Sequence, residues 1–162
     1  MEGTIFSLLA ILLLGLSGFS MVTLHVQEAT EGRELAAIPV SQGDLLKVEY
    51  VQSMYNVKQS EVFFIGHDLR FYLEKVTFGS YAAAAYYDPD PPQGLAVEEG
   101  LWMVKGDGRN YSNLKYRVSP GTGHVLTLGN RILDLSGKSK TPGGLIEIYL
   151  ERKGGNSLKR DQ

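Results

Sequence analysis

The chain has 162 residues, 16 Lys and Arg against 18 Asp and Glu, a formal net charge of −2, and no cysteine. The mixed charges argue against nucleic acid as a partner, because no basic face stands out. The absence of cysteine excludes disulfides and thiolate chemistry but favours neither side of a membrane.

The first element is an uncharged apolar segment from Gly3 to Leu24. As a helix it would be about 33 Å long, enough to cross a bilayer core of about 30 Å. We expect residues 1–24 to be a membrane anchor or an export signal, with a buried core helix as the remaining alternative. An uncleaved anchor is favoured because no basic residue precedes the apolar run, although Gly18 and Ser20 would suit cleavage. The export-like character predicts that the rest of the chain lies on the extracytoplasmic side of the cell membrane.

The segment that follows, 25–43, is polar and acidic apart from an apolar patch at Leu35–Val40. We interpret it as a linker whose end pairs with the edge of the domain, because Pro39 is tolerated at a sheet edge. The remaining chain is then one β-domain over 44–153, which is long enough for a single core. Residues 154–162 are polar and are expected to be a disordered tail. A chain beginning at Gln42 is accordingly expected to fold.

The stretch from Leu45 to Ile65 has the pattern of a β-hairpin. Its first arm alternates apolar and polar residues, which predicts a strand with one buried face. The second arm, Ser60–Ile65, is largely apolar on both faces, as in a central strand. A turn at 66–68 and an alternating run at Leu69–Glu74 predict a third strand, so three antiparallel strands should be adjacent.

After Phe78 the strand pattern stops, and the prolines near Asp88 predict a loop. The tyrosines at 81, 86 and 87 could line a pocket or cover the end of the sheet. Strand patterns return at 101–104, 114–118, 125–128, 132–135 and 145–150. The fold class predicted is all-β, as a single antiparallel β-sandwich or partly closed barrel behind an N-terminal transmembrane or signal helix.

The sequence contains no recognisable set of catalytic residues. The three histidines are far apart, no serine occupies a nucleophile elbow, and no glycine-rich stretch opens a helix. The acidic residues around Asp88 match no cation-binding loop and are interpreted as solvated. We expect no cofactor and no metal, and enzymatic activity has no support.

One polar residue interrupts the apolar row of the first hairpin arm. Gln52 places an amide where the buried face should continue, so it must find hydrogen-bond partners or lie in a groove. A turn centred near Asn56 or Val57 would bring Gln52 roughly opposite Glu61, in a groove that prefers a neutral or cationic guest. The candidate binding residues are Tyr50, Gln52, Ser53 and Glu61.

These positions carry a resemblance to a known family. From about Leu45 to Glu151 the chain resembles a prokaryotic family of unknown function whose members are often encoded beside TRAP transporters of the TAXI type. The family pattern has a tyrosine, then histidine, serine and a small apolar residue, and a glutamate nine positions after the histidine. The matching residues here are Tyr50, Ser53, Met54 and Glu61, followed later by Phe78 and Gly79.

The chain departs from that family at two places. Gln52 replaces the histidine, and Ala82–Ala84 replace a glycine-alanine-glycine stretch. The first change removes the group that would transfer a proton or bind a metal, whereas hydrogen bonding by Gln52 would survive.

Two functions of different classes are therefore expected. The resemblance implies a membrane-anchored extracytoplasmic accessory domain that acts by binding and associates with a solute transporter, with a TRAP transporter membrane subunit as a candidate partner. The alternative is a small-ligand binding module without a transporter partner. Transporter genes beside the gene for this chain would favour the first function.

Overall fold

A computed structural model describes residues 21–91, 94–119, 121–139 and 143–152. Within these residues the chain forms twelve strands and one short helix. In chain order they are β1 (Val22–Glu28), β2 (Arg33–Val40), β3 (Leu45–Gln52), β4 (Val57–Ile65), β5 (Phe71–Phe78), α1 (Tyr81–Tyr87), β6 (Ala96–Glu98), β7 (Leu101–Lys105), β8 (Asn110–Tyr111), β9 (Asn113–Val118), β10 (Val125–Leu128), β11 (Arg131–Asp134) and β12 (Gly144–Arg152).

The strands form two antiparallel sheets. The smaller sheet has the order β2-β1-β12-β9, and the larger has the order β11-β10-β3-β4-β5-β7-β6, with β8 also paired to β5. Neither sheet closes on itself within the described residues. Buried apolar side chains from both sheets form one hydrophobic cluster. The all-β, antiparallel prediction is therefore confirmed.

The three-stranded unit predicted from local alternation is present. β3 pairs with β4 and β4 with β5, both antiparallel. Along β4 the inward side chains include Phe63 and Ile65, which are almost fully buried, whereas Phe64 is partly exposed. A register shift between Val62 and Phe63 interrupts the pairing of β4 with β5.

The segment interpreted as a linker belongs to the domain, so that interpretation is wrong. β1 pairs with both β2 and β12 over seven residues each. Leu24 and Val26 on β1 are fully buried. The outward residues that alternate with them, His25 and Gln27, make the strand look polar, which is typical of a strand with one face in water. The expectation that Pro39 lies in an edge strand is confirmed, because β2 ends the smaller sheet.

The predicted membrane segment lies mostly outside the described residues. Its last three residues, 22–24, begin β1, so a helix that extends through Leu24 is wrong. The reason is that Leu24 fills the core between the sheets instead of facing lipid. Among the described residues, no helix is both long and apolar enough to cross a bilayer. The predicted tail, 154–162, also lies outside the described residues.

The stretch predicted as a loop after Phe78 contains the helix α1. Its four alanines have the highest helix propensity, and Ser80 caps the N-terminus by accepting a hydrogen bond from the Ala83 N–H at 3.3 Å. Ala83 and Ala84 are fully buried and belong to the core cluster. The helix ends before Asp88 and Pro89, where proline cannot continue it.

Candidate functional site

Glu61 is the centre of a hydrogen-bond network between the two sheets. It lies on the inward side of β4, between the buried Gln59 and Phe63. The Tyr50 hydroxyl donates to Glu61 Oε1 at 2.7 Å, and Gln59 Nε2 donates to the same oxygen at 2.9 Å. The Tyr116 hydroxyl donates to Oε2 at 2.7 Å. Because Tyr116 comes from β9, this last bond joins the smaller sheet to the larger one.

All three donors to Glu61 are neutral. The arrangement suits an ionised carboxylate, which only accepts hydrogen bonds. Among the described residues no lysine, arginine or histidine forms an ion pair with Glu61. The site therefore carries a negative charge that no cation of the described chain balances at contact distance.

The tyrosines around Glu61 stay protonated at neutral pH. Burial, and then the negative charge of Glu61, raise the pKa of Tyr50 and of Tyr116 well above the ordinary value for tyrosine. Burial and the charge of Glu61 also raise the pKa of Tyr87 to about 12. The Tyr50 and Tyr116 hydroxyls therefore keep their protons at neutral pH and can donate to Glu61.

Beside this network lies a cavity of about 270 Å³, which we call the Glu61 cavity. It is lined by Tyr50, Glu61, Phe63, Leu73, Tyr87, Tyr111, Asn113, Leu114, Lys115 and Tyr116. On β9, Leu114 and Tyr116 are buried, whereas Lys115 is exposed and reaches Glu147 on β12 at 3.3 Å. Seven of the ten lining residues are therefore aromatic or aliphatic, and the three polar ones are Glu61, Asn113 and Lys115.

A second cavity, of about 230 Å³, shares Tyr50, Lys115 and Tyr116 with the Glu61 cavity. Tyr50 stacks on His124 with ring centroids 4.8 Å apart and an interplanar angle of 10°. His124 Nδ1 lies 2.9 Å from Thr122 Oγ1, and burial lowers the pKa of His124. Gln52 also lines this cavity, and its Oε1 is buried without a hydrogen-bond partner in the described structure. The second cavity thus has an unused acceptor.

The structure brings together only part of the predicted site. Tyr50 and Glu61, two of the four candidate residues, are hydrogen-bonded. The expectation that Gln52 lies opposite Glu61 is wrong, because Gln52 pairs with Val57 and Glu61 with Val48.

The physical reason is the position of the turn. The chain reverses over 53–56, where Asn56 has a φ of 51°. The residue opposite Gln52 is therefore Val57, which lies four residues closer to the turn than Glu61. Gln52 and Ser53 therefore line the second cavity instead of the Glu61 cavity.

Sequence reasoning missed Gln59, Tyr111 and Tyr116 as site residues. Tyr116 alternates with Leu114 and Val118 in an ordinary strand pattern, and nothing local indicates that its hydroxyl reaches a residue 55 positions away. Of the tyrosines proposed to line a pocket, Tyr87 does so, whereas Tyr81 and Tyr86 are exposed.

The described residues contain no group of three or more histidine, aspartate or glutamate side chains arranged to hold a metal ion. Comparisons with family models, with curated proteins and with solved structures find no match to this chain.

Proposed function

We propose that the β-domain is a small-ligand binding module and that its ligand occupies the Glu61 cavity. In this function the two sheets are the layers of a β-sandwich, and the cavity lies between them. The observation that carries it is the charge of Glu61, which faces a cavity and has only neutral partners among the described residues.

A carboxylate in this position is costly for a purely structural role. A partly buried charge without a cationic partner loses solvation that neutral hydrogen bonds restore only in part. An apolar or amide side chain could join the sheets at a lower cost. A ligand that uses the charge explains why the position holds glutamate.

We expect Glu61→Gln to weaken ligand binding about tenfold or more, because it keeps the shape and removes the charge. The free energy of unfolding should fall by at most about 1 kcal/mol, since the amide oxygen still accepts one tyrosine hydroxyl. Binding would be measured by thermal shift of the full-length protein with a panel of amino acids, amines, sugars and carboxylates.

The matched control is Glu49→Gln. Glu49 lies on β3 and pairs with Lys47 at 3.0 Å on the exposed surface, away from the Glu61 cavity. This variant should bind the same compounds as the unmodified protein. Intact folding with unchanged binding in Glu61→Gln would instead assign Glu61 a structural role.

We also propose that the module is held at the cell membrane, on the extracytoplasmic side, as an accessory to a solute transporter. Support comes from the length and apolarity of the segment at the start of the chain and from the resemblance to the family encoded beside TRAP transporters. A binding module beside a transporter would place a captured solute next to the membrane subunit. Co-purification with the membrane subunit of a neighbouring transporter tests this association.

A reporter that is active only in the cytoplasm, fused after Gln162, should show little activity. The expectation follows from export of the domain by the apolar segment. The same reporter fused to a chain that begins at Met21 is the control and should be active. Equal, strong activity of both fusions would contradict the extracytoplasmic location.

A further inference from the structure

We infer that the ligand of the Glu61 cavity carries a methylated ammonium group, an inference that rests on the proposed binding function. The cavity combines one carboxylate with five aromatic side chains. Aromatic faces attract cations through the ring quadrupole, and cages of such rings recognise quaternary ammonium groups. The carboxylate adds a direct charge attraction to the same guest.

The aromatic rings form a corner next to Glu61. The rings of Phe63 and Tyr111 are nearly perpendicular, at 88°, with centroids 6.0 Å apart. Tyr50 and Tyr116 lie at 60° with centroids 5.9 Å apart, and both hydroxyls donate to Glu61. Rings in several orientations around one carboxylate can contact several methyl groups of a roughly spherical cation.

The basic residues near the cavity already have carboxylate partners. Lys115 Nζ lies 3.3 Å from Glu147, and Arg109 Nε lies 2.8 Å from Asp107. The Arg109 guanidinium also lies over the Tyr87 ring, 5.8 Å from its centroid, so one of the five rings already contacts a cation of the chain. The attraction of Glu61 is therefore left for a guest.

The same geometry disfavours an anion. The Tyr50 and Tyr116 hydroxyls are already used as donors to Glu61, so they cannot donate to a ligand carboxylate. Glu61 itself would repel such a ligand. The cavity volume of about 270 Å³ corresponds to roughly nine water molecules at about 30 Å³ each. This volume leaves room for a small quaternary ammonium compound.

The test compares choline with 3,3-dimethylbutan-1-ol, in which a carbon replaces the charged nitrogen and the shape is kept. Affinities would be measured by calorimetry on the full-length protein in a nonionic detergent. We expect choline to bind at least about tenfold more tightly than the neutral alcohol. Glu61→Gln and Tyr111→Leu should each weaken choline binding about tenfold and leave the affinity for the alcohol unchanged.

Two variants on other surfaces serve as controls. Glu49→Gln changes an exposed carboxylate, and Tyr72→Leu removes a tyrosine that stacks on Phe64 away from the cavity. Neither should change the affinity for choline. Folding of every variant would be checked by its thermal unfolding transition.

The outcomes separate this inference from the proposed function. Equal affinities for the two probes, or choline binding that Glu61→Gln leaves unchanged, would overturn the ammonium assignment. If neutral or anionic members of the panel bind in a Glu61-dependent manner while choline does not, the ligand class is wrong and the binding function stands. If no compound binds, both are rejected.

Discussion

A chain that begins at Gln42 should fail to fold, whereas a chain that begins at Met21 should fold cooperatively. The shorter chain lacks β1 and β2, which are half of the smaller sheet. It also loses four buried core side chains: Leu24, Val26, Ile38 and Val40. At about 1.5–3 kcal/mol for each side chain, the loss is about 6–12 kcal/mol. That equals the whole stability of a typical domain, about 5–15 kcal/mol.

Far-ultraviolet circular dichroism and thermal unfolding of the two chains measure this difference. The chain from Met21 should give a β-type spectrum and one sharp transition. The chain from Gln42 should give neither, because β12 would lose one of its two neighbours and the backbone edge that pairs with β1 would have no partner. A cooperative transition in the shorter chain would mean that the first two strands are dispensable for the core.

Gly106→Ala should cost about 3 kcal/mol or more of the free energy of unfolding. The Gly106 N–H donates to the Glu74 carbonyl at 2.7 Å, which holds the chain directly against β5. A Cβ atom at this position would lie 1.9 Å from the Leu73 carbonyl oxygen. Because the obstacle is backbone, relief requires movement of β5 itself, and overpacking of this kind is strongly destabilising. Denaturant unfolding monitored by circular dichroism gives the value.

Gly108→Ala is the control two residues further along the same loop. Gly108 has a φ of 84°, and a Cβ atom added there would have no neighbouring atom within 4 Å, so alanine would be strained but would not collide. The expected cost is about 1–2 kcal/mol, from the left-handed backbone alone. A loss for Gly106→Ala no larger than that for Gly108→Ala would show that the chain relieves the close approach to β5 at little cost.

The strands that the sequence predicts correctly are those whose pattern and pairing partners lie close together in the chain. β3, β4 and β5 are consecutive, and period-two alternation with short turns is sufficient to predict them. β1 was missed because its first residues continue the apolar run before it, and because its partner β12 is remote in sequence. Gln27 on β1, for example, reaches Glu147, 120 positions away. No local pattern contains such a pairing.

The candidate site likewise has one part that the local sequence could predict and one part that depends on distant residues. Tyr50 and Glu61 share one hairpin, so their proximity could be predicted from the sequence. Tyr116 joins them only because the two sheets pack together, which depends on the whole core. The position of Gln52 was wrong because a hairpin register depends on where the turn begins, and the left-handed Asn56 fixes that point.

The first and last described strands are neighbours, and this has a mechanical consequence. β1 and β12 are antiparallel, with Val22 opposite Arg152, so both ends of the pair lie at the same end of the sheet. Tension applied between these two ends would act along the hydrogen bonds between β1 and β12. The bonds would break one after another, starting at the pulled end, instead of sharing the force. The domain therefore offers little resistance to force along this direction. If the chain is tethered at its start alone, no such tension passes through the sheet, and the pair β1–β12 does not experience a force that would separate it.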